Sequence, residues 1–401
     1  MPYDAFTIDT NAIIQGGINF DAGLLAQLDQ FKDGPIQFVI SEIVVRETLK
    51  HLQANTKKAR DSTRAAMDRA VHLGLIAPEA AKAATDALAD SRAVARNRVA
   101  AFLEATGAET VPANLCAIDA LLKSYFDPTP PFEGAGDKKN EFPDALALLS
   151  LEAWAKAGGK TVLAASADKG WQSFAETSNY VFVEGDLAAA LQIVQAHAET
   201  AAEKVNTFLR RISEGDLPED EKSLHAMLAD ALVEWDFDVE ATAPYRYEVD
   251  ATELRLESLE LNEKDGDYGV TVVRLAAEEV VVRVDVEITA MAHVEFSLFA
   301  WDSIDREEIG MGGTAAASEE TFDAALLITI AGSIDGAVAD LEVIEVEVVE
   351  GLGSVDMGEI HLDYGGREDF DDYNQLQLML EVEGNGAESA LDAEGNGSAA
   401  F

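Results

Sequence analysis

Cysteine is almost missing from this chain, with Cys116 the one thiol among 401 residues. An intramolecular disulfide is excluded, and a reducing, cytoplasmic setting is the expected one. Long hydrophobic runs are lacking as well. Nowhere do about 18 apolar residues follow one another, and Met1 to Asp9 has no basic stretch leading into an apolar run, so neither a membrane span nor secretion is expected. Positive charge is scarce: 29 Lys plus Arg stand against 75 Asp plus Glu, a formal charge of −46. A chain so acidic cannot coat nucleic acid over its whole surface, because phosphate binding needs clustered Lys and Arg. There is no Walker sequence, no G-x-S-x-G elbow and no H-E-x-x-H pair among the six histidines. Gly310-Met311-Gly312-Gly313 has no Lys-Ser or Lys-Thr after it and reads as a loop. Asp236 with Asp238, and Glu368 to Asp372, lack EF-hand spacing. Cys116 sits among apolar helical residues and reads as packed rather than reactive.

What the chain does have is 48% hydrophobic residues, enough for packed cores and length for two or three domains. Its charge is uneven. Residues 1–200 hold 26 acids and 18 bases, a net of −8, whereas residues 201–401 hold 49 and 11, a net of −38. Within the first half, residues 51–100 are net +4 and include Lys57, Lys58, Arg60, Arg64, Arg69, Arg92, Arg96 and Arg98. This window reads either as the solvated face of two helices or as a cationic arm for a polyanion.

The first half alternates in type. Ala5 to Ile8, Ile36 to Ile40, Thr161 to Ala165 and Tyr180 to Val183 are short apolar strand candidates. Helices are expected at Phe20 to Phe31, from Glu42 past His51 behind the N-cap Ser41, from Pro78 to Ala105, at Ala113 to Tyr125 and at Pro143 to Ala157. Such an order implies an α/β domain, a parallel sheet with helices on both faces. From about Val239 the period becomes two. Val280, Val282, Val284, Val286 and Ile288 share one face against Arg283, Asp285 and Glu287, and Ile344, Val346 and Val348 oppose Glu345 and Glu347. An antiparallel β-sandwich or barrel is the expected second domain. The expected boundaries are 1–200 for the α/β domain, 201–238 for a helical connector, 239–380 for the acidic β domain and 381–401 for a disordered acidic tail.

Four acids stand out by position. Asp9 and Asp168 directly follow strand candidates, where ligand sites form in open parallel sheets. Glu47 lies along the apolar stripe of its helix, one turn beyond Ile43 and Val44. Asp144 follows Pro143 in a first helical turn and heads a stripe containing Leu148 and Leu151. Each also has a plain structural reading: a turn closure for Asp9, pairing with Arg46 or Lys50 for Glu47, a dipole acid for Asp144 and a helix cap for Asp168. Together in one cleft they would repel one another unless divalent cations bind, and hard oxygen ligands suit Mg²⁺ or Mn²⁺.

The ordered set Asp9-Thr10-Asn11, Ile43-Val44-Val45-Arg46-Glu47-Thr48-Leu49, Glu141-Phe142-Pro143-Asp144-Ala145 and Ser166-Ala167-Asp168-Lys169-Gly170-Trp171 resembles the PIN-domain nucleases. It is closest to bacterial PIN proteins with a long helical insertion after the second strand. The likeness covers about residues 1–200 and leaves the β domain and tail outside. It implies a PIN-like three-layer fold in which Asp9, Glu47, Asp144 and Asp168 are the catalytic, metal-binding acids, with Asn11 and Ser166 supporting them by hydrogen bonds. It also implies endonucleolytic hydrolysis of RNA phosphodiester bonds with Mg²⁺ or Mn²⁺, leaving 5′ phosphate and 3′ hydroxyl ends. Lys138, Lys139, Arg92, Arg96 and Arg98 are the candidate phosphate contacts, and single-stranded RNA is the expected substrate. A protein partner of the β domain and a second copy of the chain are further candidate partners; a membrane is not. The rival readings are a non-catalytic interaction protein on a PIN-like scaffold and a structure-specific DNA nuclease. The net −38 half is expected to restrain RNA binding, so that a chain ending near Thr200 would bind nonspecific RNA more tightly.

Overall fold

Four consecutive fully buried residues, Ala5–Ile8, form β1, the centre of the first sheet. A strand covered on both faces reads as an unbroken apolar run, as this one does. The computed structural model describes residues 3–127, 129–132, 142–264, 266–302 and 307–362. After β1 come α1 (Thr10–Gln15), α2 (Gly23–Ala26) with a 3₁₀ turn to Phe31, and β2 (Gln37–Ser41). Three helices then form the insertion: α3 (Glu42–His72), α4 (Pro78–Ala87) and α5 (Ser91–Thr106). Ser41 caps α3 by accepting from Ile43 N, and Gly107 ends α5 with φ +65°, a left-handed turn that favours glycine. Next are β3 (Glu109–Val111), α6 (Ile118–Phe126), α7 (Phe142–Gly158), β4 (Val162–Ala165), α8 (Lys169–Ala175), β5 (Val181–Glu184) and α9 (Leu187–Val194).

All neighbouring strands of this sheet are parallel, in the order β3-β2-β1-β4-β5. The chain therefore leaves β1 in one direction to reach β2 and in the other to reach β4. The carboxyl ends of β1 and β4 flank the topological switch point, where such sheets open a ligand crevice. The sequence pattern shows four strands but misses β3, whose three residues offer only one buried side chain, Val111.

Two helices, α10 (Ala198–Ser213) and α11 (Pro218–Val233), lead to β6 (Asp238–Thr242), β7 (Arg246–Leu261), β8 (Thr271–Leu275), β9 (Glu279–Asp302), β10 (Glu307–Ala331), β11 (Glu342–Glu350) and β12 (Ser354–Glu359). The C-terminal region is mainly antiparallel: one sheet runs β11-β10-β9-β7 with β8 on β9, and β12 pairs with β6 in parallel. Along β9 every second residue from Val280 to Leu298 is buried, opposite exposed Asp285 and Glu287. Two sequence readings are corrected here. Gly310-Met311-Gly312-Gly313 lies within β10, not in a loop. Gly312 has φ +125°, and a Cβ on Gly313 would stand 3.1 Å from the Phe296 carbonyl oxygen, so glycine lets β9 approach closely. In β11, Ile344 is 43% exposed while Val343 and Val346 are buried. The register skips Ile344 between the pairs Thr329–Glu345 and Ile330–Val343, a bulge that breaks the period of two.

The chain divides into two compact units: the described parts of 1–235, 256–290 and 321–352, and those of 236–255, 291–320 and 353–401. The divisions lie between α11 and β6, within β7, β9 and β10, and between β11 and β12. In the first unit Val273, Val281 and Leu327 belong to the same core as Phe6, Leu28 and Leu191. Arg283 reaches Asp186 at 2.7 Å and Glu350 at 3.2 Å, and Gly23 N donates to Glu347 at 2.7 Å. A chain ending near Thr200 would lack these three core residues. The tail from 381, with Glu368 to Asp372, lies outside the described residues. No helix among the described residues is long and apolar enough to cross a membrane. Cys116 is buried, which pushes its thiol pKa up.

Candidate active site

At the end of β1 the chain turns at once into α1, with Asp9 as its N-cap. Ala12 N donates to Asp9 Oδ1 at 2.7 Å, and Ser166 Oγ, just past β4, donates to Oδ2 at 2.5 Å. The side chain is 2% exposed. Burial raises its pKa, the bonds from Ser166 and Ala12 oppose the rise, and the charge of Asp168 adds to it.

Asp168 caps α8, its Oδ1 accepting from Gly170 N at 2.7 Å and from Trp171 N at 3.2 Å. A Cβ at residue 170 would stand 2.9 Å from that oxygen, so glycine lets the carboxylate close onto the turn. Glu47 stands half-buried on α3 between buried Val44 and Thr48, and its Oε2 accepts from Thr10 Oγ1 at 2.7 Å. Asp144 lies in the first turn of α7. Its Oδ1 accepts from the Trp171 indole Nε1 at 3.0 Å. Its pKa is pushed up to about 6, chiefly by burial; the indole bond lowers it, and the charges of Asp168, Glu47 and Asp9 each raise it. The charges of the other three acids are thus felt at Asp144.

Asp144 and Asp168 line a cavity of about 520 Å³ whose wall also includes Asn11, Ile14, Lys169 and Gly170; Asp9 and Glu47 are not on that wall. The plain reading of Asp168 as a helix cap holds, Asp9 turns the chain by capping α1, and Glu47 bonds Thr10 while Arg46 pairs with Glu42 instead. Among the described residues no Lys, Arg or His forms an ion pair with any of the four acids. Asn11 is exposed on the cavity wall and gives Asp9 its main-chain N–H. Arg92 and Arg96 are exposed on α5, away from the cavity wall. Arg98 is committed to packing: Nη2 donates to the Ile18 carbonyl at 3.2 Å, and the guanidinium lies 5.9 Å from the Phe20 ring centroid. Lys138 and Lys139 lie outside the described residues. The sequence reading assigns no role to Thr10, Lys169 or Trp171, although each neighbours a named acid or, for Trp171, follows one by three residues.

A family model described as the PIN domain matches residues 7–171, a segment that begins in β1 and takes in all four acids. This segment is similar to the PIN domain. The strand order of the first sheet and its flanking helices agree with that, and the C-terminal β region lies outside the match. PIN domains are generally nucleases, and they typically bind divalent metals. Comparison with curated proteins gives no match, and comparison with solved structures gives none.

The donor set fits a hard cation in its chemistry. Three of the four acids keep one oxygen on a protein donor and leave the other uncommitted among the described residues: Oδ2 of Asp144, Oδ2 of Asp168 and Oε1 of Glu47. Oxygen ligands of this kind suit Mg²⁺ or Mn²⁺. As the side chains stand, however, no three His, Cys, Asp or Glu among the described residues are placed to hold a metal ion together. Sharing one cation among these acids therefore calls for side-chain movement.

Proposed function

We propose that the protein is a metal-dependent endoribonuclease acting on single-stranded RNA, with Asp9, Glu47, Asp144 and Asp168 as its site. The observation that carries this reading is that Asp144 and Asp168 line one cavity at the sheet's switch point, where burial first, and then the charges of Asp168, Glu47 and Asp9, push the Asp144 pKa up. Packing alone gives no reason to gather four acids without a positive partner, since like charges at short range raise one another's pKa.

In this reading Asp9 and Asp168 hold the cation from the strand ends, while Asp144 and Glu47 reach it from α7 and α3. Gly170 and Thr10 would keep Asp168 and Glu47 oriented by occupying one oxygen of each, while Ala12 and Ser166 fix Asp9 through both of its oxygens, each of which has a further lone pair for a cation. A bound Mg²⁺ or Mn²⁺ supplies Lewis-acid stabilisation of charge on the phosphoryl and leaving oxygens. Lys169, exposed on the cavity wall, offers an ammonium group to a substrate phosphate. Arg92 and Arg96 extend the phosphate path over the insertion. Products would carry 5′ phosphate and 3′ hydroxyl ends.

The test is cleavage of single-stranded RNA and single-stranded DNA by full-length protein with Mn²⁺, Mg²⁺ or EDTA, beside Asp9→Asn. RNA cut only with metal, and only by wild type, is expected. DNA cut in preference would move the reading to a DNA nuclease, and cleavage equal in EDTA or in Asp9→Asn would overturn it.

A further inference from the structure

Two acids of the site are tied by one residue. Trp171 donates its main-chain N–H to Asp168 Oδ1 at 3.2 Å and its indole N–H to Asp144 Oδ1 at 3.0 Å. The side chain is 1% exposed and among the largest wholly buried ones in the protein. A buried indole N–H needs an acceptor, and here the acceptor is a carboxylate in the candidate site. The ring sits in the first turn of α8, whose N-cap is Asp168 itself. One residue thus ties an acid on α7 to an acid just after β4, through its indole to the first and its main chain to the second.

We propose that Trp171 is a positioning residue for the metal site: its indole N–H fixes Asp144 through Oδ1, so that Oδ2 is the oxygen presented to a divalent cation. The inference rests on the metal-site reading above and adds to it which oxygen of Asp144 binds and which residue decides that. Two consequences separate this role from packing alone. Because the indole is neutral, it orients Asp144 without cancelling the charge a cation needs, as a Lys or Arg in its place would. Because Asp168 Oδ1 is likewise occupied, by Gly170 N and Trp171 N, the uncommitted Oδ2 atoms of both acids remain for the cation. Removing the N–H frees Asp144 to turn and reduces the share of molecules with both Oδ2 atoms available.

The experiment is Mn²⁺ titration of EDTA-stripped full-length protein, with free Mn²⁺ read by electron paramagnetic resonance. Two replacements remove the donor. Trp171→Phe keeps an aromatic ring, and site-specific replacement of Trp171 by 3-benzothienylalanine keeps the bicyclic shape with sulfur where the N–H was. Phe174→Leu, buried in the same helix and hydrogen-bonded to none of the four acids, is the packing control. Both donor-less proteins should bind Mn²⁺ about tenfold more weakly, the lower end of the usual cost of losing an outer-shell partner. Phe174→Leu should melt at a lower temperature with Mn²⁺ affinity unchanged. A benzothienyl protein that binds Mn²⁺ as tightly as wild type overturns the proposal, even if Trp171→Phe is weakened, because ring volume would then be what matters. An equal loss in Phe174→Leu overturns it too. Wild-type protein that takes up no Mn²⁺ removes the metal-site reading itself and this proposal with it, an outcome distinct from the other two.

Discussion

Acids at the ends of β1 and β4 and acids along β9 share one chemistry and differ in their surroundings. Asp9 is 2% exposed and both its oxygens are taken by protein donors, whereas the Asp285 side chain is 71% exposed and pairs with Arg283 at 3.6 Å. Buried acids feel one another strongly because water does not screen them; those on the strand face are solvated one by one. The second half of the chain carries most of the negative charge, yet the charge that points to chemistry is in the first half. Net charge therefore says little about where a site lies, and burial with designated donors says much.

The comparison breaks most visibly if the buried acids are dispensable. Asp144→Asn should lower metal-dependent RNA cleavage by about 10³-fold or more, the equivalent of several kcal/mol of lost charge stabilisation, measured as single-turnover rate. The same variant should be more stable than wild type in EDTA at pH 8. A carboxyl whose pKa rises from 3.8 to about 6 on folding binds more protons in the folded state. Stability therefore falls as pH rises between those values and stays lowered above them. Removing the charge should return about 2 kcal/mol at pH 8, after discounting for partial solvent access, and nothing below pH 4, read from urea unfolding at both pH values.

Smaller effects sharpen the contrast. Thr10→Val frees Glu47 from its one donor and should cost about tenfold in cleavage with little change in melting, a loss typical of outer-shell partners. Arg92→Ala with Arg96→Ala should weaken RNA binding a few-fold and reduce the salt slope of log affinity by about 2, with Arg98 left in place because it packs on Phe20. Asp285→Asn with Glu287→Gln, on the open face of β9, should change stability by no more than about 0.5 kcal/mol and leave cleavage alone.

Sequence reaches the four acids because each carries a positional mark: two follow apolar strands, and two sit on apolar helical stripes. The switch-point sheet is legible for the same reason, since β1, β2 and β4 are buried runs. Trp171 and Thr10 are not legible as supports, because what they bond is distant in the chain or turned by a helix cap, and neither residue type announces such a role. Ile344 misleads because one bulged residue inverts an alternation that is otherwise regular. The glycines of β10 mislead because their composition suits a loop, while the neighbouring strand requires their lack of side chains. Val273, Val281 and Leu327 read as β-domain core, and only packing reveals that they share a core with Phe6, Leu28 and Leu191.

The central claim is that the buried acids form one cation-binding site and the exposed acids of β9 do not. Thermal melting of full-length protein in EDTA and in Mn²⁺ tests it directly, since a ion that binds the folded state raises its stability by mass action. Mn²⁺ should raise the melting temperature of wild type and of the Asp285→Asn, Glu287→Gln protein alike, and should fail to raise that of Asp144→Asn. A full wild-type shift retained by Asp144→Asn, or a shift lost when Asp285 and Glu287 are neutralised, would contradict the account.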